Sequence, residues 1–473
     1  MVKTFFKIEN IFVLVSLIWG ALFLLFNPPF LAPDENAHLF KMWGYTNFSL
    51  NYKKQAGKIG QIVPVALNDM VEHYKPMRFN PNIKTNLTDV KKMQKVKLEK
   101  ENSKFVEYTP TSYTPFSYFP SCIVLFLLKW FNVTPFIMVY ILRFCSLLTY
   151  LALTYTAIKI TPIKKYLFLV LALLPLNLYQ ASAISTDGIT FGFAFLFVAY
   201  VLRLAFNDEI KEVTKEQFTI LSCILMALCI CKFTYYPFIL LFFLIPKEKF
   251  NSYKQYLLNF LKMAVVNAVV VFAFCFYNMQ IFSNLSNTVG KMSLSIGFFS
   301  DVITTTIHCF EPYLKNIIAS YGWASSALPQ IYVELFYLTI FLTIIYDDFN
   351  NKFLKIKDRI FILISVISSY VLVVLAVFVV YHKSPIIYGV QGRYLTPFLI
   401  LTGLFFTSKI LKTKSKILPI LIISLLSILL CLSFVVMINL FYWFSKAFCI
   451  WNCSSYCFKH FFKFIFFFFV WNI

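Results

Sequence analysis

Apolar runs separated by short basic stretches fill most of this chain, and about 20 apolar residues in a helix cover the roughly 30 Å of a bilayer's hydrocarbon. The runs fall at 11–26, 135–157, 166–184, 188–206, 218–231, 261–282, 330–346, 360–381, 395–408 and 417–440, with a shorter return segment at 237–246. Together they predict roughly eleven spans. One long hydrophilic stretch, 27–114, breaks the pattern and is expected to form a first external loop (28–115) with juxtamembrane helices. The run after it, 116–131, opens Pro115-Phe116-Ser117-Tyr118-Phe119-Pro120. Two prolines in a dense aromatic patch suit an interfacial helix better than a span.

The positive-inside rule decides the same point. Reading 116–131 as interfacial puts Lys159, Lys164, Lys165, Lys247, Lys249, Lys254, Lys352, Lys355, Lys357, Arg359, Lys409, Lys412, Lys414 and Lys416 on the cytoplasmic side. Lys3 and Lys7 before the first run predict an uncleaved signal anchor with a cytoplasmic N-terminus. The expected architecture is an all-α polytopic transmembrane bundle, a single unit over 1–440, followed by an atypical aromatic and Cys-rich tail at 441–473. In that tail Cys449, Cys453, Cys457 and His460 lack the usual spacing of zinc ligands.

Composition agrees: 59% of the 473 residues are hydrophobic and only 14% charged, outside the soluble globular range. The net charge of +22 lies mostly between apolar runs instead of on one basic surface, which argues against nucleic acid as partner. Cysteines sit within the apolar runs as small hydrophobes, so no disulfide framework follows. No inverted duplication of the kind found in many secondary transporters is visible.

Four polar features resolve to one face of the membrane under this topology. The first is the acidic pair Asp34 and Glu35, with His38 one turn after Asp34. A carboxylate beside an imidazole can take a proton from a hydroxyl or hold a cation, while the plainer reading is a helix cap. Asp187, in the turn Ser185-Thr186-Asp187-Gly188, is open to the same two readings. Lys232 is a cation within an apolar region, either snorkelling to the interface or meeting a phosphate. Arg393, within Gln391-Gly392-Arg393-Tyr394, is either an interfacial anchor or a fork for phosphate oxygens.

At these residues the chain resembles the DUF2142 family of bacterial multi-pass membrane proteins, grouped with the GT-C glycosyltransferases. The resemblance rests on Pro33-Asp34-Glu35-Asn36-Ala37-His38, Ser185-Thr186-Asp187, Lys232-Phe233-Thr234-Tyr235 and Gln391-Gly392-Arg393-Tyr394-Leu395-Thr396-Pro397. It implies an enzyme of the bacterial cytoplasmic membrane that moves a sugar, with inversion, from a polyprenyl-phosphate donor to a cell-envelope glycan or another acceptor. Asp34 is the implied base, Glu35 its neighbour or substitute, and Asp187 a second acid. His38, Lys232, Gln391, Arg393 and Tyr394 are the implied substrate-binding residues. Some members of that class use a divalent cation such as Mg or Mn, which this chain's carboxylates leave open. A transporter or flippase of lipid-linked sugars, or a polysaccharide polymerase or ligase, would share the spans.

Overall fold

Thr134 and Pro135 start the helix around which the rest is arranged. The Thr134 hydroxyl accepts from the Ile137 amide at 3.3 Å and proline takes the first helical position, where its missing amide hydrogen costs nothing. In this computed structural model, residues 7–108, 113–131, 133–282, 296–323, 326–346, 354–381, 386–407 and 413–443 are described. The first helices are α1 (Ile8–Phe26), α2 (Glu35–Tyr45), α3 (Val65–Tyr74), α4 (Leu87–Gln94), α5 (Phe119–Leu128) and α6 (Pro135–Ile160). They are followed by α7 (Lys165–Ala172), α8 (Pro175–Ala181), α9 (Asp187–Phe206), α10 (Lys215–Cys231) and α11 (Tyr253–Phe282). The last are α12 (Ile296–Ile318), α13 (Gln330–Ile345), α14 (Ile356–Tyr381), α15 (Gly392–Phe405) and α16 (Leu418–Phe441). The tail from 444 on, with Cys449, Cys453, Cys457 and His460, lies outside the described residues.

Six described helices are long and apolar enough to cross a membrane: α1, α6, α9, α11, α14 and α16. Several other expected spans are shorter or interrupted. The run 166–184 is two short helices, because Pro175 disfavours a helical conformation at Leu174. Backbone groups freed inside a membrane protein need internal partners. Here Tyr150 donates to the Ala172 carbonyl at 2.6 Å and the Asn177 amide to Leu171 at 2.7 Å. Residues 233–244 form a 3-10 helix containing Pro237. Helix α12 was not expected: Ser300, Asp301, Thr304, His308 and Glu311 interrupt its apolar residues, although Phe298, Val302, Tyr313 and Ile317 are buried. Helix α5 has ten residues, about 15 Å, too short to cross.

The first external loop holds more than helices. β1 (Lys53–Gln55), β2 (Lys58–Pro64) and β3 (Ser103–Glu107) form an antiparallel sheet with β2 central, Gly60 opposite Glu107 and Pro64 opposite Ser103. The turn between β1 and β2 places Ala56 and Gly57 at positive φ, the conformation that a tight hairpin demands. This subdomain is anchored to the last helix, where Thr85 exchanges backbone hydrogen bonds with Phe441 (2.9 Å) and Trp443 (3.0 Å).

At the opposite end of the bundle, basic side chains close helix C-termini. Lys164 donates to the carbonyls of Ile344 and Tyr346 beyond α13 (3.0 and 2.6 Å), and Lys249 to Leu204 and Asn207 at the end of α9 (2.7 and 3.0 Å). Arg359 reaches Phe405 and Thr407 at the end of α15. A cation there satisfies unpaired carbonyls and complements the negative end of the helix dipole.

One ion pair ties the centre together. Arg143 on α6 and Glu35 on α2 are fully buried and bidentate, Nε and Nη2 each 2.7 Å from a carboxylate oxygen. Arg143 also donates to the carbonyls of Leu24 (3.3 Å), Asn27 (2.5 Å) and Pro28 (3.0 Å), which close the end of α1. Glu35 accepts from the amides of Phe30 (2.8 Å) and Ile184 (3.0 Å). Removing one partner of a buried pair leaves an unpaired charge and typically costs about 3–5 kcal/mol. Glu35→Ala and Arg143→Ala should each lower the melting temperature sharply in detergent, and Glu35→Gln with Arg143→Met should lower it by less than the two single losses summed. Single variants that melt like wild type would remove the pair from its central place.

Candidate functional site

Three helices begin at one point. Asp34 caps α2 in a left-handed conformation (φ 63°), Asp187 is the first residue of α9, and Gln391 caps α15, whose second residue is Arg393. Gly392 permits this convergence, because its α-carbon lies so near the Asn316 backbone on α12 that any side chain would collide. The Tyr394 amide donates to the Gln391 carbonyl at 2.9 Å, winding the first turn.

Arg393 joins the three starts. Its Nη1 lies 3.0 Å from Asp187 Oδ2 and its Nη2 bonds Asp34 Oδ2. The Arg393 and Asp187 side chains are 4% and 5% exposed, whereas Asp34 is 38% exposed and is the more accessible of the two carboxylates. Helix N-termini favour anions over cations, so Arg393 is held there by the two carboxylates it bridges. Burial works to raise the Asp34 pKa, but Arg393, with His38 and Arg78 adding to it, holds the carboxyl below its ordinary range.

Around this bridge Tyr394 is a hub. Its hydroxyl is 3.4 Å from Arg393 Nη2, its carbonyl accepts from Tyr235 at 2.9 Å, and the Lys232 ammonium sits 3.5 Å from its ring centroid. A cation over an aromatic face is attracted by the ring quadrupole. Among the described residues no ion pair joins Lys232 to a carboxylate; its contacts are the rings of Tyr394 and Tyr235. His38 Nδ1 is 2.6 Å from the Tyr118 hydroxyl, and its ring packs on Tyr113 and Tyr118.

Sequence-predicted residues thus divide. Asp34, Asp187, Arg393, Tyr394 and Lys232 come together, with Gln391 at the helix start. Glu35, expected beside Asp34 as neighbour or substitute, has both oxygens turned to Arg143 and two backbone amides instead. Arg143 was missed, although a lone arginine within the apolar run 135–157 was itself the signal of a buried partner. Tyr113 was missed, and Tyr118 and Tyr235 were read only as members of an aromatic patch and a short motif, because nothing local distinguishes them from interfacial aromatics. The described residues contain no group of three or more His, Cys, Asp or Glu side chains placed to hold a metal. A divalent cation does not fit between Asp34 and Asp187 as they stand, since the Arg393 guanidinium fills that position.

An apolar groove of about 510 Å³ is lined by Phe116, Phe119 and Pro120, by Leu148, Thr149 and Leu153 of α6, and by Ile189 and Phe193 of α9. Phe116 stacks on Phe193 with ring centroids 6.1 Å apart. The groove starts two residues along α9 from Asp187.

Apolar helices of spanning length, broken helices with internally satisfied backbones and a polar cluster at one end define a multi-pass helical membrane protein. The family model described as "Predicted membrane protein (DUF2142)" matches residues 17–402. This chain belongs to that family. Comparison with curated proteins and with solved structures gave no match.

The buried imidazole offers a pH test. Burial is the main cause that pushes His38 down from its ordinary 6.5 to about 4, against the pull of Asp34 and Asp187. Between those values the unfolded chain binds a proton that the folded chain refuses, so stability is complete above about pH 6.5 and falls as pH drops towards about 4. The loss should be on the order of 3 kcal/mol. Asp34, whose pKa is lowered, loses its contribution only below this window. Thermal melts from pH 6.5 to 4 should decline in wild type and flatten in His38→Gln; parallel curves would clear His38 of the effect.

Proposed function

We propose that this protein is a membrane glycosyltransferase of GT-C type. It transfers a sugar from a polyprenyl-phosphate donor to a cell-envelope glycan or other acceptor, with inversion, at the outer face of the bacterial cytoplasmic membrane. In this reading the N-terminus and the basic helix ends are cytoplasmic, and the short and broken helices complete about eleven passes. The observation that carries it is the bridge from Asp34 through Arg393 to Asp187, with Lys232 beside it, at the end of the bundle opposite the lysine-capped helices. One accessible carboxylate beside a guanidinium and a lysine suits an acceptor hydroxyl attacking a carbon whose leaving group is a phosphate.

Asp34 orients that hydroxyl and takes its proton as the new bond forms. Its low pKa makes it a weak base in the resting site, because Arg393 neutralises it. A donor phosphate competes with Asp34 for the guanidinium, and an Asp34 freed from Arg393 regains basicity as the donor binds. Negative charge that builds on the departing phosphate is then met by Arg393 and Lys232, an interaction stronger in the transition state than before it. Asp187, almost fully buried, keeps Arg393 in place. The apolar groove beside α9 supports a prenyl chain as the carrier, since its lining is apolar and includes Ile189, two residues from Asp187.

A general base contributes about 10²- to 10⁴-fold. Asp34→Asn should therefore reduce transfer at least about 100-fold while the protein inserts at normal levels, read as changed surface glycans and an enlarged pool of lipid-linked sugar. Unchanged glycans with normal insertion would sink the role given to Asp34.

A further inference from the structure

Arg78 belongs to the external loop, just after α3, and no sequence motif marked it. Its guanidinium lies 4.6 Å from the Trp323 ring centroid, between β4 (Ser320–Tyr321) and β5 (Ser326–Ala327). The Trp323 indole donates to the Phe30 carbonyl at 3.3 Å, and the Phe30 amide donates to Glu35, next to Asp34. Arg78 is thereby linked, through three contacts, to Glu35, the residue after Asp34. Phe79, at φ 59°, closes on the same indole with ring centroids 5.5 Å apart. Phe30, Asp34 and Phe79 all hold left-handed backbone although none is glycine, and such strain gathers where a fold positions a ligand.

Beyond its contact with the Trp323 ring, Arg78 forms no ion pair among the described residues. Glu35, Glu72 and Asp34 are the carboxylates that act on it, and each is taken by another cation: Glu35 by Arg143, Glu72 by Lys75 at 2.9 Å and Asp34 by Arg393. Nε and Nη2 of Arg78 are buried and have no hydrogen-bond partner among the described residues. Buried donors left unpaired are costly, and two adjacent guanidinium nitrogens match two oxygens of one phosphate.

We propose that Arg78, clamped on Trp323, is a binding residue for a phosphate oxyanion at the mouth of the Asp34 site. This deepens the functional reading above by giving the external loop a direct part in holding the ligand's phosphate. A lipid phosphate and a free phosphate present the same oxygens, so both are probes.

The full-length protein in nanodiscs is titrated with farnesyl phosphate, with farnesol and with inorganic phosphate, in wild type, Arg78→Ala and Arg78→Lys. Farnesyl phosphate should bind wild type and weaken about tenfold or more in Arg78→Ala, with a smaller loss in Arg78→Lys, which keeps charge but not the fork. Farnesol should not distinguish the variants. Displacement of farnesyl phosphate by inorganic phosphate assigns the site to the phosphate alone, and its failure assigns it to the lipid headgroup; either upholds an Arg78-dependent site. Equal affinity of wild type and a folded Arg78→Ala overturns the proposal, as does a wild type that binds neither phosphate. Should Arg78→Ala not fold, equal affinity in Arg78→Lys overturns it. The two readings fail separately: Arg78-dependent binding without any sugar transfer removes only the transferase, and transfer that ignores Arg78 removes only this site.

Discussion

The buried pair of Glu35 and Arg143 is the constraint on which the rest of this structure depends. Two charges without water are expensive, and they persist here because every strong hydrogen-bonding direction is used: three carbonyls closing α1, two amides, and the fork between the charges. The chain segments so joined are the end of α1, the loop that carries Asp34, the middle of α6 and the turn before α9. The second and the fourth of these segments deliver Asp34 and Asp187. A structural ion pair therefore sets the separation of two carboxylates it does not touch.

Neighbouring residues consequently have opposite duties. Asp34 and Glu35 are adjacent at a helix start, where successive side chains point in different directions. Glu35 turns inward to Arg143 and is wholly buried, while Asp34 turns to Arg393 and keeps over a third of its surface open. Rigidity and access are thus supplied by different acids. The strained backbone at Asp34 is tolerable because the next residue is so firmly held.

Much of this was legible in the order of residues, and the limits have physical causes. Long apolar helices such as α1, α6 and α16 were readable because length and hydrophobicity suffice to define them. Helix α12 was not, because its polar residues lower the hydropathy while its buried stripe follows a helical period. Pro175 was visible, but the break it makes is stabilised by Tyr150 and Asn177, whose partners lie in the fold. The hairpin at Ala56-Gly57 was hidden in a lysine-rich stretch that reads as loop. In the site, residue types and the shared face were readable, but the pairings were not: Arg393 lies 359 positions from Asp34 and 206 from Asp187.

Helix direction explains why the two ends differ so sharply in charge. Both α9 and α15 run from the acidic cluster to the basic end, so their dipoles place positive potential at Asp187 and negative potential at the carbonyls met by Lys249 and Arg359. Carboxylates at one end and cations at the other are what those dipoles favour. Within these two helices Arg393 opposes the rule, as a cation at a helix start, and the two acids make its position tolerable. Its hold on them is set against the field of its own helix, a field that would favour the anion of the proposed donor. The cluster therefore balances its charge internally, and under the proposed function an anion would exchange partners within it without touching the pair one residue away, at Glu35.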